Sequence, residues 1–183
     1  MASLITHAFT AVALSKALTP AKLPPRFWAL TVISSLLPDA DVLGFGLGVE
    51  YGDLLGHRGL SHSVMFALTW SFGALSLVEL PNIARGSRTW WKLIVLLFAV
   101  TASHGVLDAL TNGGLGVAFF APFDGTRCFF PWRPLLVSPI SFERFFTSWG
   151  GAVLQSELIF IWLPLSLLWL AVAVVRKILQ KAN

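Results

Sequence analysis

All four histidines of the chain, together with three aspartates, fall in short, closely spaced segments of an otherwise apolar sequence. They are His7; Asp39 and Asp41 in Pro38-Asp39-Ala40-Asp41; His57 and His62 in His57-Arg58-Gly59-Leu60-Ser61-His62-Ser63; and His104 with Asp108 in His104-Gly105-Val106-Leu107-Asp108. Imidazoles and carboxylates without nearby thiols are the ligand set of a hydrolytic divalent-metal site, for which zinc, as one or two ions, is the expectation. In an apolar chain such ionisable groups are costly to keep, so function is the default reason for them.

Spacing narrows their roles. His104 and Asp108, four apart, share one helix face. Two metal ligands, a His with its orienting carboxylate, or a plain hydrogen-bonded pair all use that spacing. Pro38 predicts a helix end at Leu37 and an extended approach to Asp39 and Asp41, whose side chains would then point the same way, toward one centre. Ser61 reads as the N-cap of a following helix, with Gly59 allowing the turn before it. A helix N-terminus beside Arg58 is a good anion site, and the plainer reading of Arg58 is an arginine snorkelling to an interface. His62 reads as a residue that orients a ligand rather than binding metal itself. No HExxH motif and no Ser-His-Asp spacing occurs, and Asn112-Gly113-Gly114-Leu115-Gly116 ends a helix rather than cradling phosphate.

The elements that must position these groups are membrane helices. Of 183 residues, 56% are hydrophobic and 12% charged, about half the usual charge of a soluble protein. Eight Trp and fifteen Phe suit a lipid–water interface. The basic residues are scattered, which argues against nucleic acid as a partner. Cys128 is the single cysteine, read as a small buried or interfacial residue, so neither an internal disulfide nor a cysteine zinc motif is available. The absence of a basic stretch before the first apolar run argues against a cleaved signal peptide, leaving His7 in the mature chain.

Three apolar runs, 63–80, 91–110 and 158–175, approach the ~20 residues that a crossing needs. Two shorter ones, 4–18 and 27–37, are separated by a proline-rich loop, Thr19 to Arg26. The fold expected is one all-α domain, a multi-pass membrane bundle of about five helices with two of them short. Placing Lys16, Lys22 and Arg26, then Arg85, Arg88 and Lys92, then Arg176, Lys177 and Lys181 on the cytoplasmic side satisfies the positive-inside bias. His7, the Asp39/Asp41 segment, the 57–62 loop and the His104/Asp108 end then share the external or periplasmic face, with Glu79 alone among the acidic residues on the other.

The ordered segments His7, Leu37-Pro38-Asp39-Ala40-Asp41, Gly56-His57-Arg58-Gly59-Leu60-Ser61-His62-Ser63 and Ser103-His104-Gly105-Val106-Leu107-Asp108-Ala109-Leu110-Thr111 resemble the YdjM-like membrane-bound metal-dependent hydrolases of bacteria. The resemblance covers roughly residues 1–150 and includes the aromatic stretch around Pro122-Phe123 and Phe130-Pro131-Trp132. Many relatives carry a His after the second Asp, where Val42 stands here. A second resemblance, to the zinc-dependent phospholipase C and P1 nuclease fold, lies in the ligand order His, Asp, His, His-x-x-x-Asp, and implies phosphoester chemistry.

Together these readings predict a bacterial inner-membrane hydrolase acting on a phosphoester or lipid-linked substrate. His7, Asp39, Asp41, His57, His104 and Asp108 are its candidate metal ligands, with His7 beside a second ion. The metal would lower the pKa of bound water toward ~7. Whichever of Asp39 and Asp41 is not a ligand is the candidate base, and Arg58 would hold the developing anion. Phe119-Phe120 and Phe129-Phe130-Pro131-Trp132 either line a route for an amphipathic substrate or form an interfacial belt. The alternative function is a transporter or a metal-binding membrane protein without turnover. The chain shows no internal repeat, and its polar cluster sits on one side.

Overall fold

In the computed structural model, residues 1–19, 23–80 and 83–182 are described, with backbone alone for residues 142 and 180–182. The predicted loop residues Pro20 to Lys22, the Pro81-Asn82 break and the Lys181 side chain lie outside the described set. The chain is all-helical, with no strands among the described residues. Ser3 caps the first helix, α1 (Leu4–Leu18), by accepting the Thr6 N–H at 3.2 Å. Helix α2 (Pro25–Leu36) opens with proline at its first position, where no N–H is needed.

Two sequence expectations exchange places here. The 27–37 run does not end at Leu37: Leu37–Leu47 continues it as a 3-10 helix, so Pro25–Leu47 is 23 residues long and can cross a membrane. Pro38 is tolerated because it sits in the first turn, where its missing donor is not used. The 63–80 run, conversely, yields only α3 (Val64–Leu77), too short by itself to span a full hydrocarbon layer. Its N-cap is Ser63, not Ser61, since the Ser63 hydroxyl takes the Phe66 N–H at 3.0 Å.

Helix α4 (Arg88–Ala109), capped by Ser87, is the axis of the bundle and packs against α1, α2 and α3. Their shared core includes Ala11, Phe27, Leu30, Leu75, Leu93, Leu97 and Val100. Lipid tails are as apolar as these residues, so close packing rather than water exclusion holds the helices together, helped by small buried positions such as Ala67, Ser34 and Ser71. Trp70 adds a hydrogen bond across helices to Ser34 Oγ at 2.9 Å. After the short helix α5 (Phe142–Phe145), α6 (Ser148–Glu157), a π-helical stretch (Leu158–Trp162) and α7 (Leu163–Ala182) run on without a break. This long helix is largely uncovered by the rest of the chain, as a lipid-facing helix should be.

Arg176 donates to the carbonyls of Lys16 and Ala17, Arg26 and Arg85 line one cavity, and Arg88 and Lys92 line another with Leu18. These basic residues thus gather at one end of the bundle, while Arg58 and Arg127 lie beside the aspartates and histidines at the other. His104 and Asp108 lie near the other end of α4, roughly 30 Å from Arg88 at 1.5 Å per residue. That is about one hydrocarbon thickness.

Candidate metal centre

Asp39, His62, His104 and Asp108 converge, all four buried. Asp39 Oδ1 lies 3.2 Å from His104 Nε2 and 3.6 Å from His62 Nε2. His62 Nε2 lies 3.1 Å from His104 Nε2 and 3.5 Å from Asp108 Oδ2. Tetrahedral ligands about 2.0–2.1 Å from a zinc ion sit roughly 3.3 Å from one another, so this spacing suits a single ion.

The directions agree with the distances. His104 Nδ1 donates to the Ser35 carbonyl at 2.7 Å, so Nε2 keeps its lone pair facing the centre. Both Asp39 oxygens are buried without a hydrogen-bond partner among the described residues, although imidazole nitrogens stand close by. The carboxylate stands within ion-pair distance of both imidazoles without a well-aligned hydrogen bond, so all three groups face a common point. His62 resists charge by burial, but Asp108, Asp39 and Asp41 outweigh this and push its pKa up to about 10. So many carboxylates around it favour a cation at the centre. The residues fit a divalent ion.

Asp41 organises a second, adjoining group. Its Oδ1 accepts from His57 Nδ1 at 2.8 Å, and its Oδ2 takes the Ser61 hydroxyl at 2.6 Å and the Arg58 N–H at 3.3 Å. His62 Nδ1 is 3.2 Å from the same oxygen. A carboxylate that orients an imidazole whose other nitrogen faces the ion is the usual support of a metal site. Asp39 and Asp41 therefore do not aim together, as an extended chain would make them. In the 3-10 helix residues two apart diverge, so the two carboxylates meet His62 at opposite ring nitrogens, Asp39 together with His104 and Asp41 together with His57. His57 Nε2 is left buried and unpartnered among the described residues.

His7 is at the edge. Its ring stacks on His104 at 3.6 Å and 9°, with Nε2 3.5 Å from Asp108 Oδ1. Neither ring nitrogen has a hydrogen-bond partner among the described residues.

Arg58 is fully buried, so it does not snorkel. Its Nε donates to Asp108 Oδ2 at 3.1 Å, Nη1 to the Gly113 carbonyl at 2.8 Å and Nη2 to Thr111 Oγ1 at 2.9 Å. The backbone at Arg58 is left-handed (φ 65°), an unusual state for a side-chain-bearing residue that here turns the guanidinium inward. Gly59 is required by close approach, because a Cβ there would stand 2.2 Å from the Leu54 carbonyl.

Two supporting residues escaped sequence reasoning. Arg127 donates to the carbonyls of His57, Tyr51 and Asp53 and so fixes the 51–58 loop. Its signal was a basic residue outside the three basic clusters that set the orientation. Glu157, fully buried, accepts from Ser3 N–H at 2.5 Å, Ser3 Oγ at 2.6 Å and Thr6 Oγ1 at 2.7 Å. Its signal was an acidic residue opening the apolar 158–175 run. Cys128 is exposed rather than buried, its backbone paired with Val117. Asp124 sits in an exposed turn, accepting from Thr126 N–H. Phe129 lies beneath the guanidinium groups of Arg58 and Arg133, while Phe120 and Trp132 are exposed.

No solved structure matches the chain. Escherichia coli (strain K12) inner membrane protein YbcI is 37% identical over 173 residues, covering 92% of this chain and 98% of that protein. The family described as YdjM inner membrane protein matches residues 1–182. With three helices among the described residues long and apolar enough to cross a bilayer, and with a buried His/Asp cluster, the chain belongs to the YdjM inner membrane protein family.

Proposed function

We propose that the protein is a metal-dependent hydrolase of the bacterial inner membrane, acting on a phosphoester or lipid-linked ester with water as nucleophile. The observation that carries this reading is the buried Asp39 carboxylate, which has no hydrogen-bond partner among the described residues and lies within reach of the Nε2 atoms of His62 and His104. A buried carboxylate in that setting needs a cation beside it, a place that a metal ion fills when bound and a protonated His62 fills otherwise. Asp39, His62, His104 and Asp108 would hold the ion, with His7 packed against His104. When bound, a zinc-like ion supplies Lewis acidity toward water and the scissile oxygen. Asp41 lies at the rim of the cluster and serves as proton acceptor with His57, whose orientation it sets. The purified protein should carry about one divalent ion per chain, and the loaded form should hydrolyse phosphoester or phospholipid substrates. Metal-loaded protein that moves an ion across liposomes but turns over no ester would overturn the hydrolase and favour a transporter.

Arg58 supports the site through Asp108 in this reading. Lys at position 58 cannot reach Asp108, Thr111 and the Gly113 carbonyl together. Arg58→Lys is therefore expected to lower metal affinity about 10–100-fold, measured by competition with a chelating dye. A guanidinium that instead grips the substrate anion predicts intact metal binding and a kcat loss of about 10²-fold. The two outcomes separate the roles.

The cluster faces the periplasm if the basic end is cytoplasmic. In a Cys128→Ser background, an impermeant thiol reagent applied to intact cells with a permeabilised outer membrane should label Asp53→Cys and spare Gly86→Cys. The reverse pattern would invert the topology.

A further inference from the structure

The cluster residues other than Asp41 are buried; Asp41 is half-buried and lines an open cavity of about 370 Å³. Its other walls are Leu37, Leu55, Leu60, Ser61, Phe66 and Trp70. Asp41 and Ser61 form a polar end, joined by their 2.6 Å hydrogen bond, and the rest is apolar. The volume falls within the range of small-molecule sites.

The direction of this groove is informative. Helix α3 begins at Val64, at the cluster's end of the bundle, so Phe66 and Trp70 lie successively deeper, one turn apart. Their rings are parallel within 4° at 6.4 Å, and both line the groove. The groove thus runs from the carboxylate group down a membrane helix. At its mouth Leu55 is 62% exposed, and Leu54, next to it in sequence, is also exposed. Large exposed apolar side chains around a site mark contact with lipid or an apolar ligand rather than with water.

We propose that this groove holds the hydrocarbon chain of a lipid substrate, with its ester-bearing head at Asp41 and its tail along Phe66 and Trp70 in the outer leaflet. The proposal rests on the hydrolase reading and narrows it: the substrate is a lipid phosphoester whose chain enters between the 3-10 segment and α3. This route differs from the aromatic loop at Phe119–Trp132. Phe129 of that loop packs under Arg58 and Arg133, whereas Phe120, Phe123 and Trp132 stay exposed.

The test uses the full, metal-loaded protein in nanodiscs and a hexadecyl phosphate probe bearing a diazirine on its chain. Photolysis should label the peptides carrying Leu55 and Phe66–Trp70. Excess hexadecyl phosphate should compete, and inorganic phosphate should not. Leu55→Glu, which sets a charge at the mouth, should cut this labelling about tenfold while the protein keeps its metal, whereas Phe123→Glu should not. With esters as substrates, Leu55→Glu should lower the preference for hexadecyl over p-nitrophenyl phosphoesters, as a ratio of kcat/KM, by about the same factor. Labelling spread evenly over the lipid-facing α7, or loss of labelling in Phe123→Glu but not in Leu55→Glu, would overturn the groove. Metal-loaded wild type that labels at the groove yet cleaves neither ester would sink the hydrolase and leave the lipid site standing.

Discussion

Asp39→Asn is expected to abolish stoichiometric metal binding while leaving the metal-free protein at least as stable as wild type. Asn keeps the volume of Asp and removes the charge. In the metal-free protein the Asp39 carboxylate is buried at ion-pair distance from His104 and His62, without a well-aligned hydrogen bond to either. An amide can donate to the His104 Nε2 lone pair, which Asp cannot do when ionised. The substitution thus relieves a buried charge as it removes a ligand. Metal content would be read after dialysis against a trace of free ion, and Tm would be measured with and without chelator. Wild type should lose several degrees on chelation, because an ion bound to the folded state alone stabilises it by mass action. Asp39→Asn should show no such loss. If Asp39 were only the partner of a protonated imidazole, the Asn variant would melt well below chelated wild type, and the metal assignment would fail.

The cluster was legible because its members are polar residues in an apolar chain, where each needs a reason. Helical spacing alone places His104 and Asp108 on one face, and both reach the centre. The continuation of α2 past Pro38 was not legible. Proline is a stop signal inside an α-helix, but a 3-10 turn starting at Leu37 asks nothing of its missing N–H. The same 3-10 geometry sends Asp39 to His104 and one nitrogen of His62, and Asp41 to His57, Ser61 and the other nitrogen of His62, an arrangement that the pattern Asp-x-Asp does not reveal. The length of α3 was hidden for a related reason: composition reports how apolar a run is, not where its cap lies, and Ser61 and Ser63 are equally good caps by type. Arg58 shows a third limit. Its snorkelling reading assumes an unoccupied guanidinium, and only the fold reveals that Thr111, Gly113 and Asp108 fill three of its donor positions.

Glu157→Ala should weaken metal binding although Glu157 touches none of the four converging residues. Its carboxylate takes three donors from the start of the chain, namely Ser3 N–H, Ser3 Oγ and Thr6 Oγ1. Trp162, in the π-helical stretch just beyond it, donates to Thr6 Oγ1 at 2.7 Å. These bonds fasten the first turn of α1 to the last membrane helix. The fastened turn carries Ala2, whose N–H is 2.6 Å from Asp108 Oδ1, and leads to His7, stacked on His104. In an apolar setting, water cannot replace a lost acceptor, so Ala at 157 would strand buried donors at a cost of about 1–3 kcal/mol. The turn should loosen, Asp108 should lose its second support, and metal affinity should fall about 10–100-fold, as for residues that orient ligands. Glu157→Gln retains one acceptor oxygen for the Ser3 N–H and should lie between wild type and Ala in both Tm and affinity. That ordering separates anchoring of α1 from a general loss of stability, because a destabilising change in α7 would lower Tm without moving the affinity of the folded protein. Metal affinity in Glu157→Ala equal to wild type, measured by chelator competition on folded protein, would show that α1 holds its place without Glu157.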